Sequence, residues 1–195
     1  MDGFAKRREQ KQESIRRAAL ELFQAHGFRK VSVSEIARRA GVSQVTIYNY
    51  FGSKQALVRD VIIWFINRLL DRYLATMAAD RPFAEKLEEI VFDKSRIAGQ
   101  FQGELLRTYI AETPEVQAMV EKLSTEKVMP AVEAFFQEGI DQGYIDSSFS
   151  KDAIMVYFEI IRRGFYGTPD IVERVSGQPE LVRELIRLIT YGLNG

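Results

Sequence analysis

Residues 32–54, Ser-Val-Ser-Glu-Ile-Ala-Arg-Arg-Ala-Gly-Val-Ser-Gln-Val-Thr-Ile-Tyr-Asn-Tyr-Phe-Gly-Ser-Lys, spell two short helices around a glycine turn. Ser32 and Glu35 stand at capping-box spacing, in which the serine accepts from a free backbone N–H and the glutamate reaches back. Val31 and Ile36 flank that cap at the spacing of a hydrophobic staple. Gly41 supplies the left-handed backbone that a sharp turn demands and a β-carbon resists. Ser43 caps the second helix, Val42 and Ile47 repeat the staple, and Ile47 and Phe51, four apart, anchor this helix inward. Gln44, Val45, Thr46, Tyr48, Asn49 and Tyr50 are left for the outward face and its borders.

Those residue types suit duplex DNA. Gln and Asn can form paired hydrogen bonds with adenine, and a valine side chain can meet a thymine methyl. Threonine and tyrosine hydroxyls and the Lys54 ammonium can donate to phosphate oxygens. Ser53 is placed to cap the following helix, whose positive N-terminal end also favours a phosphate. Caps and a turn alone describe any helical hairpin with a solvated face, so the chemistry of this face does not by itself decide the function.

Charge adds a second signal. The chain of 195 residues carries 27 Lys/Arg and 27 Asp/Glu, for a formal net charge of +0. Residues 1–60, however, hold 12 basic against 6 acidic side chains, a surplus of +6 that the remaining 15 basic and 21 acidic residues cancel. Such asymmetry is the electrostatic footprint of a nucleic-acid-binding end joined to a body with another task. Lys6, Arg7 and Arg8 are expected to form a flexible arm reaching the DNA backbone or minor groove.

The segment from about Ile15 to Val61 resembles the DNA-binding domain of the TetR family of bacterial transcriptional regulators. The resemblance rests on Ile15, Ala18, Ala19, Leu22, Phe23, Gly27-Phe28 and Ser32-Val33-Ser34-Glu35-Ile36-Ala37. It continues through Ala40-Gly41-Val42-Ser43, Thr46-Ile47-Tyr48-Asn49-Tyr50-Phe51, Ser53-Lys54 and Leu57. It implies a recognition helix over roughly 44–50, with Gln44, Val45 and Asn49 toward base edges and Ser32, Thr46, Tyr48, Tyr50 and Lys54 toward phosphates.

The rest of the chain reads as helix throughout. Ile15, Ala18, Ala19, Leu22 and Phe23 make an i, i+3, i+4, i+7, i+8 stripe on a first helix over about 8–26. Gly27 ends that helix, with Phe28 folding back on its last turn. His26, the one histidine, is expected to be partly exposed at the helix end. Further helices are expected over about 54–77, 82–98, 99–111, 114–142 with a kink or break at Pro130, 150–166, 170–176 and 179–193. The expected fold is therefore all-α, with about nine helices. A helix-turn-helix domain over 1–53 would precede a helical effector-binding and dimerisation domain over 54–195.

Ile154, Tyr157, Phe158 and Ile161 form one apolar stripe near the C-terminus, and Leu185, Ile186 and Ile189 belong to another. Each could bury against its own subunit or, as the resemblance implies, against a second copy. A homodimer also suits DNA geometry, since recognition helices about 34–36 Å apart read a palindromic operator one turn apart. The resemblance further implies a pocket for a small, largely apolar effector, for which Trp64, Arg68, Phe101, Tyr109, Phe136 and Phe165 are the lining candidates. Aromatics at helical spacing also build ordinary cores.

The expected function is a ligand-released repressor, with an activator or a ligand-independent regulator as alternatives. An enzyme or a helical interaction protein is the reading from another class. For an enzyme, His26 has no Ser and acid arrangement, G-x-S-x-G is absent, and Gly52-Ser53-Lys54 lacks the upstream glycine of a P-loop. With no cysteine and no carboxylate cluster at diagnostic spacing, neither metal nor cofactor is expected. The opening Met-Asp-Gly-Phe-Ala-Lys-Arg-Arg shows no apolar leader core, and the intense apolar run Val61–Ile66 is short of a membrane span, so a cytoplasmic setting is expected.

Overall fold

The computed structural model describes residues 3–90 and 103–167, together with 178, 180–181, 183–185 and 187–188. Among them every regular element is helical. In chain order these are α1 (Gly3–His26), α2 (Val33–Ala40), α3 (Gln44–Phe51), α4 (Lys54–Met77) and α5 (83–90). They continue with α6 (Gly103–Glu112), α7 (Pro114–Leu123), α8 (Met129–Asp141) and α9 (Lys151–Gly167). Packing divides the chain into two compact units, Met1–Leu69 and Leu70–Gly195. The division falls inside α4, not at the expected boundary after residue 53. Leu57, Val58, Val61 and Ile62 on the first turns of α4 are buried, which commits this stretch to the first unit.

In the first unit the α1 stripe closes the core as expected: Ile15 and Ala19 are fully buried, Ala18 and Phe23 nearly so. Gly27 takes φ 80°, its N–H donates to the Phe23 carbonyl at 2.8 Å, and the Phe28 ring meets Phe23 edge-on at 5.3 Å. Two ion-paired straps tie α1 to α4. Arg16 donates from Nε to Asp60 Oδ1 at 2.6 Å and from Nη1 to Glu9 at 2.9 Å. Glu13 accepts from Arg17 at 2.7 Å and from Arg68 at 3.0 Å. The start of α1 departs from expectation: Lys6, Arg7 and Arg8 form no flexible arm but are turns of α1. Ala5 through Lys11 are strong helix formers with no Gly or Pro among them, so the helix propagates to Gly3.

The second unit is built around Phe83, Leu87 and Ile90 of α5, Phe135 and Phe136 of α8, Ile145 and Ile154. Phe83 lies 4.6 Å from Phe135 and Phe136 lies 3.9 Å from Phe158, centroid to centroid. Lys86 is buried here, at 1 % exposure, with its ammonium saturated. It donates to the Met77 and Ala79 carbonyls at 3.0 Å each and to both Glu138 carboxylate oxygens at 2.6 Å. A cation from α5 thus caps the C-terminal carbonyls of α4 while pairing with α8, a use of lysine that agrees with the negative end of a helix.

The helix expected over 114–142 is divided just before Pro130 into α7 and α8. Between α7 and α8, residues Ser124–Val128 widen into one π-helical turn, in which the Met129 N–H reaches back to the Ser124 carbonyl. Proline lacks an N–H and its ring crowds the carbonyl four residues before it. The wider turn absorbs both defects and lets helix continue on either side.

The apolar stripe of α9 turns inward. Ile154 is 2 % exposed in the core, and Tyr157 and Phe158, partly buried, pack against the same cluster. The outward apolar side chains are Val156 and Ile160, one turn apart and 59 % and 64 % exposed. Leu185 is half-buried, while the side chain of Ile161 and all of Ile186 and Ile189 lie outside the described residues. The helices expected over 170–176 and beyond residue 90 in 82–98 also lie there.

Gly139 marks the tightest point of this core. A β-carbon on it would stand 2.9 Å from Phe83 Cε2 and 3.0 Å from Ile145 Cδ1, both on buried side chains. Gly139→Ala should therefore destabilise the protein: overpacking costs about 1–3 kcal/mol, more than the ~1 kcal/mol that alanine gains over glycine in a helix. A lower urea midpoint checks this, and an unchanged or higher midpoint would refute it.

Candidate nucleic-acid interface

The reading head is assembled from local signals that the backbone obeys. Ser32 caps α2: its Oγ accepts from the Glu35 N–H at 3.3 Å and donates to Glu35 Oε2 at 2.6 Å, while the Ser32 N–H donates to the same oxygen at 2.8 Å. These two Ser32 donors, hydroxyl first, hold the Glu35 carboxyl below its ordinary pKa, since both favour the charged form. Gly41 sits at φ 65°, ψ 36°, and the Val42 N–H returns to the Ala37 carbonyl at 3.0 Å. Nothing lies within 4 Å of where a β-carbon of Gly41 would stand, so glycine is required there by backbone conformation and not by space.

Ser43 then caps α3, accepting from the Thr46 N–H at 3.1 Å and sharing a hydroxyl bond with Thr46 at 2.8 Å. Ile47 is the one buried residue of α3. Gln44, Val45, Tyr48 and Asn49 are exposed, Val45 at 66 % and Tyr48 at 47 %. Their spacing, i, i+1, i+4, i+5, places all four on one side of the helix. Thr46, Tyr50 and Phe51 border it half-buried. Ser53 caps α4 through the Ala56 N–H at 3.1 Å.

The expected phosphate contacts have distinct surroundings. The Ser32 hydroxyl is engaged in the cap, with Ser34 Oγ at 3.0 Å. Lys54 Nζ donates to the Arg29 carbonyl at 3.1 Å, which pins the loop before α2 to the start of α4. Its two other ammonium protons are not placed on any described protein acceptor. The Arg8 guanidinium lies over the Tyr50 ring, 5.8 Å from its centroid. Arg7, Arg8 and Lys11 of α1 and Asn49 and Tyr50 of α3 line a cleft of about 380 Å³. Lys6 is not among its walls. Sequence reasoning passed over Lys11, although its place three and four residues after Arg8 and Arg7 puts it on their face of α1.

Electrostatics sort the basic residues further. Arg39 is paired with Glu21 at 2.6 Å, on the opposite end of α2 from the Ser32 cap. Burial weighs against the Arg16 charge, but Asp60 and then Glu9 outweigh it and raise its pKa. Glu13 is held below its ordinary value by Arg17 first, then by Arg68.

The proposed effector residues scatter over several settings. Arg68 is exposed on α4, paired with Glu13 and 5.1 Å over the Trp64 ring, so its guanidinium is engaged within the first unit. Phe136 is a core residue against Phe158. Tyr109 is half-buried on α6, and Phe101 and the side chain of Phe165 lie outside the described residues. No described helix is long and apolar enough to cross a membrane.

Comparison with known proteins meets this geometry at the same residues. The profile of bacterial regulatory proteins of the tetR family matches residues 15–61. The chain is 35% identical over 100 residues to the HTH-type transcriptional regulator BetI of Rhizobium meliloti, an alignment covering 51% of this chain and 49% of BetI. It thus spans about half the length of that curated relative. Over 187 residues it is 27% identical to the uncharacterized HTH-type transcriptional regulator Mb2274c of Mycobacterium bovis, covering 93% of this chain and 91% of the other. The fold is similar to that of a TetR/AcrR-family transcriptional regulator from Thermobifida fusca, with a TM-score of 0.63 at 22% identity over 96% of this chain and 98% of that one. Residues 15–61 thus match the profile of the tetR family of bacterial regulatory proteins, and the all-α fold is similar to that of a TetR/AcrR-family regulator.

Proposed function

We propose that the chain is a DNA-binding transcriptional regulator, a cytoplasmic repressor that sits on a palindromic operator as a homodimer. The observation that carries this reading is the outward side of α3. Gln44, Val45, Tyr48 and Asn49 stand in solvent on a short, doubly capped helix, held from beneath by Ile47. A helix of this diameter fits the major groove, where glutamine, asparagine and an apolar methyl each have a base partner. Repression is relieved by a small, largely apolar molecule bound in the second unit, which must prefer one arrangement of the dimer over the other to act at all.

Retention of genomic duplex fragments, measured across salt, tests the DNA role. Tyr48→Ala should weaken binding to every sequence and lower the steepness of log K against log salt by about 1 if one phosphate contact is lost. Gln44→Ala should instead change which base is preferred at one position of each half-site, with a discrimination loss of roughly 1–3 kcal/mol. If Gln44→Ala left the preference untouched, its base-reading role would be wrong.

The dimer reading moves from the inward stripe of α9 to its outward one. Val156 and Ile160 form an exposed apolar ridge on α9, and Leu188 is 69 % exposed. Apolar side chains this exposed support burial against a second copy. Placing a charge there, as in Ile160→Glu, should raise the dimer dissociation constant roughly 100-fold, the effect of burying an unpaired polar group. Sedimentation at micromolar concentration reads this directly. A wild-type monomer, or an Ile160→Glu dimer as tight as the wild type, would contradict it.

A further inference from the structure

The cations of α1 fall into two groups. Arg16 and Arg17, in its middle, are matched by carboxylates: Arg16 by Asp60 and Glu9, Arg17 by Glu13. Arg7 and Lys11, nearer its start, have no carboxylate partner among the described residues, and the contact recorded for Arg8 is with the Tyr50 ring. Glu9 and Glu13 lie close by on the same helix, yet both are drawn away, Glu9 to Arg16 and Glu13 to Arg17 and Arg68. Among the described residues, the acidic side chains near this end are thus committed elsewhere.

What remains is a cleft of about 380 Å³ with three cations on one wall and Asn49 and Tyr50 on the other. Three like charges on one helix face repel one another, and that repulsion is relieved when an anion enters. Asn49 belongs both to this cleft and to the exposed side of α3, so the cleft is continuous with the surface proposed to read bases. An anion held here would therefore flank the base pairs under α3, where duplex DNA carries its backbone.

We propose that Arg7, Arg8 and Lys11 form a phosphodiester-binding cleft for the DNA backbone, and that Tyr50 serves it as a ring platform holding Arg8. The inference rests on the reading of α3 as the groove-facing helix. It gives the Tyr50 ring the role that its hydroxyl would have in a direct phosphate contact. It also makes Lys11 a backbone-binding residue and sets Lys6, which does not line the cleft, apart from Arg7 and Arg8.

The test is the salt dependence of duplex binding by the full chain, with circular dichroism confirming that each variant folds. Lys11→Ala and Arg8→Ala should each lower the steepness of log K against log salt by about 1. Lys6→Ala, which removes the same charge one step off the cleft, should lower it by less than half as much. Tyr50→Phe should bind as the wild type does, while Tyr50→Leu should fall to the level of Arg8→Ala, and the double variant should be no weaker than either single. Replacing chloride by inorganic phosphate at equal ionic strength should leave the curves superimposed.

If Lys11→Ala matched Lys6→Ala, the cleft would not be a phosphate site. If Tyr50→Phe fell as far as Tyr50→Leu, the hydroxyl and not the ring would be the contact. Displacement of DNA by inorganic phosphate beyond the ionic-strength effect would assign the cleft to the free anion. A wild-type chain that retained no duplex at any salt would instead overturn the role of α3, an outcome distinct from retained binding with unchanged slopes.

Discussion

Ile47 is the only buried side chain of α3, and the direction of every residue on its outer side depends on it. Eight residues are too few to make a stable helix alone in water. The helix exists because Ile47 is buried in the first unit, as Ile15, Phe23, Val31 and Ile36 are, and because both its ends are satisfied locally. Ser43 takes up the free N–H at one end, and Gly52, at φ 78°, ends it at the other by returning its own N–H to the Tyr48 carbonyl at 2.8 Å. With the axis fixed in this way, Gln44, Val45, Tyr48 and Asn49 cannot turn inward without exposing Ile47.

The electrostatic design of the first unit follows from where its carboxylates are used. Asp60, Glu9, Glu13, Glu21 and Glu35 all have partners, and those partners are straps and caps: α1 to α4, α1 to α2, and the start of α2. Structure and charge are thereby separated. Acidic residues hold the helices together, while Arg7, Arg8 and Lys11 gather beside Asn49 and Tyr50 of α3. A formal net charge of +0 for the whole chain conceals this arrangement. The second unit uses a buried cation for the opposite purpose, with Lys86 saturated by two carbonyls and Glu138.

The parts legible in the sequence were those set by contacts a few residues apart. The Ser32–Glu35 box, the left-handed Gly41, the Ser43 and Ser53 caps and the Gly27–Phe28 ending are each decided within one or two helical turns. What escaped was set by tertiary choice. α9 has apolar residues on two sides, and periodicity finds both without saying that Ile154 goes to the core and Val156 to the surface. A π-helical turn before Pro130 has no sequence mark beyond the proline itself, which equally suggests a kink. Nothing local foretold that Lys86 would pair with Glu138 or that the Arg8 side chain would lie on Tyr50, because those partners stand tens of residues away.

The central claim is that α3 reads duplex DNA in a two-fold assembly. Selection of bound duplexes from a random-sequence pool by the full chain tests it most directly. The account predicts enrichment of an inverted repeat whose half-site centres lie about 10–10.5 base pairs apart or a multiple of that, with one position per half-site altered in the pool selected by Gln44→Ala. A pool that stays random, or that converges on a site without internal symmetry, would contradict it.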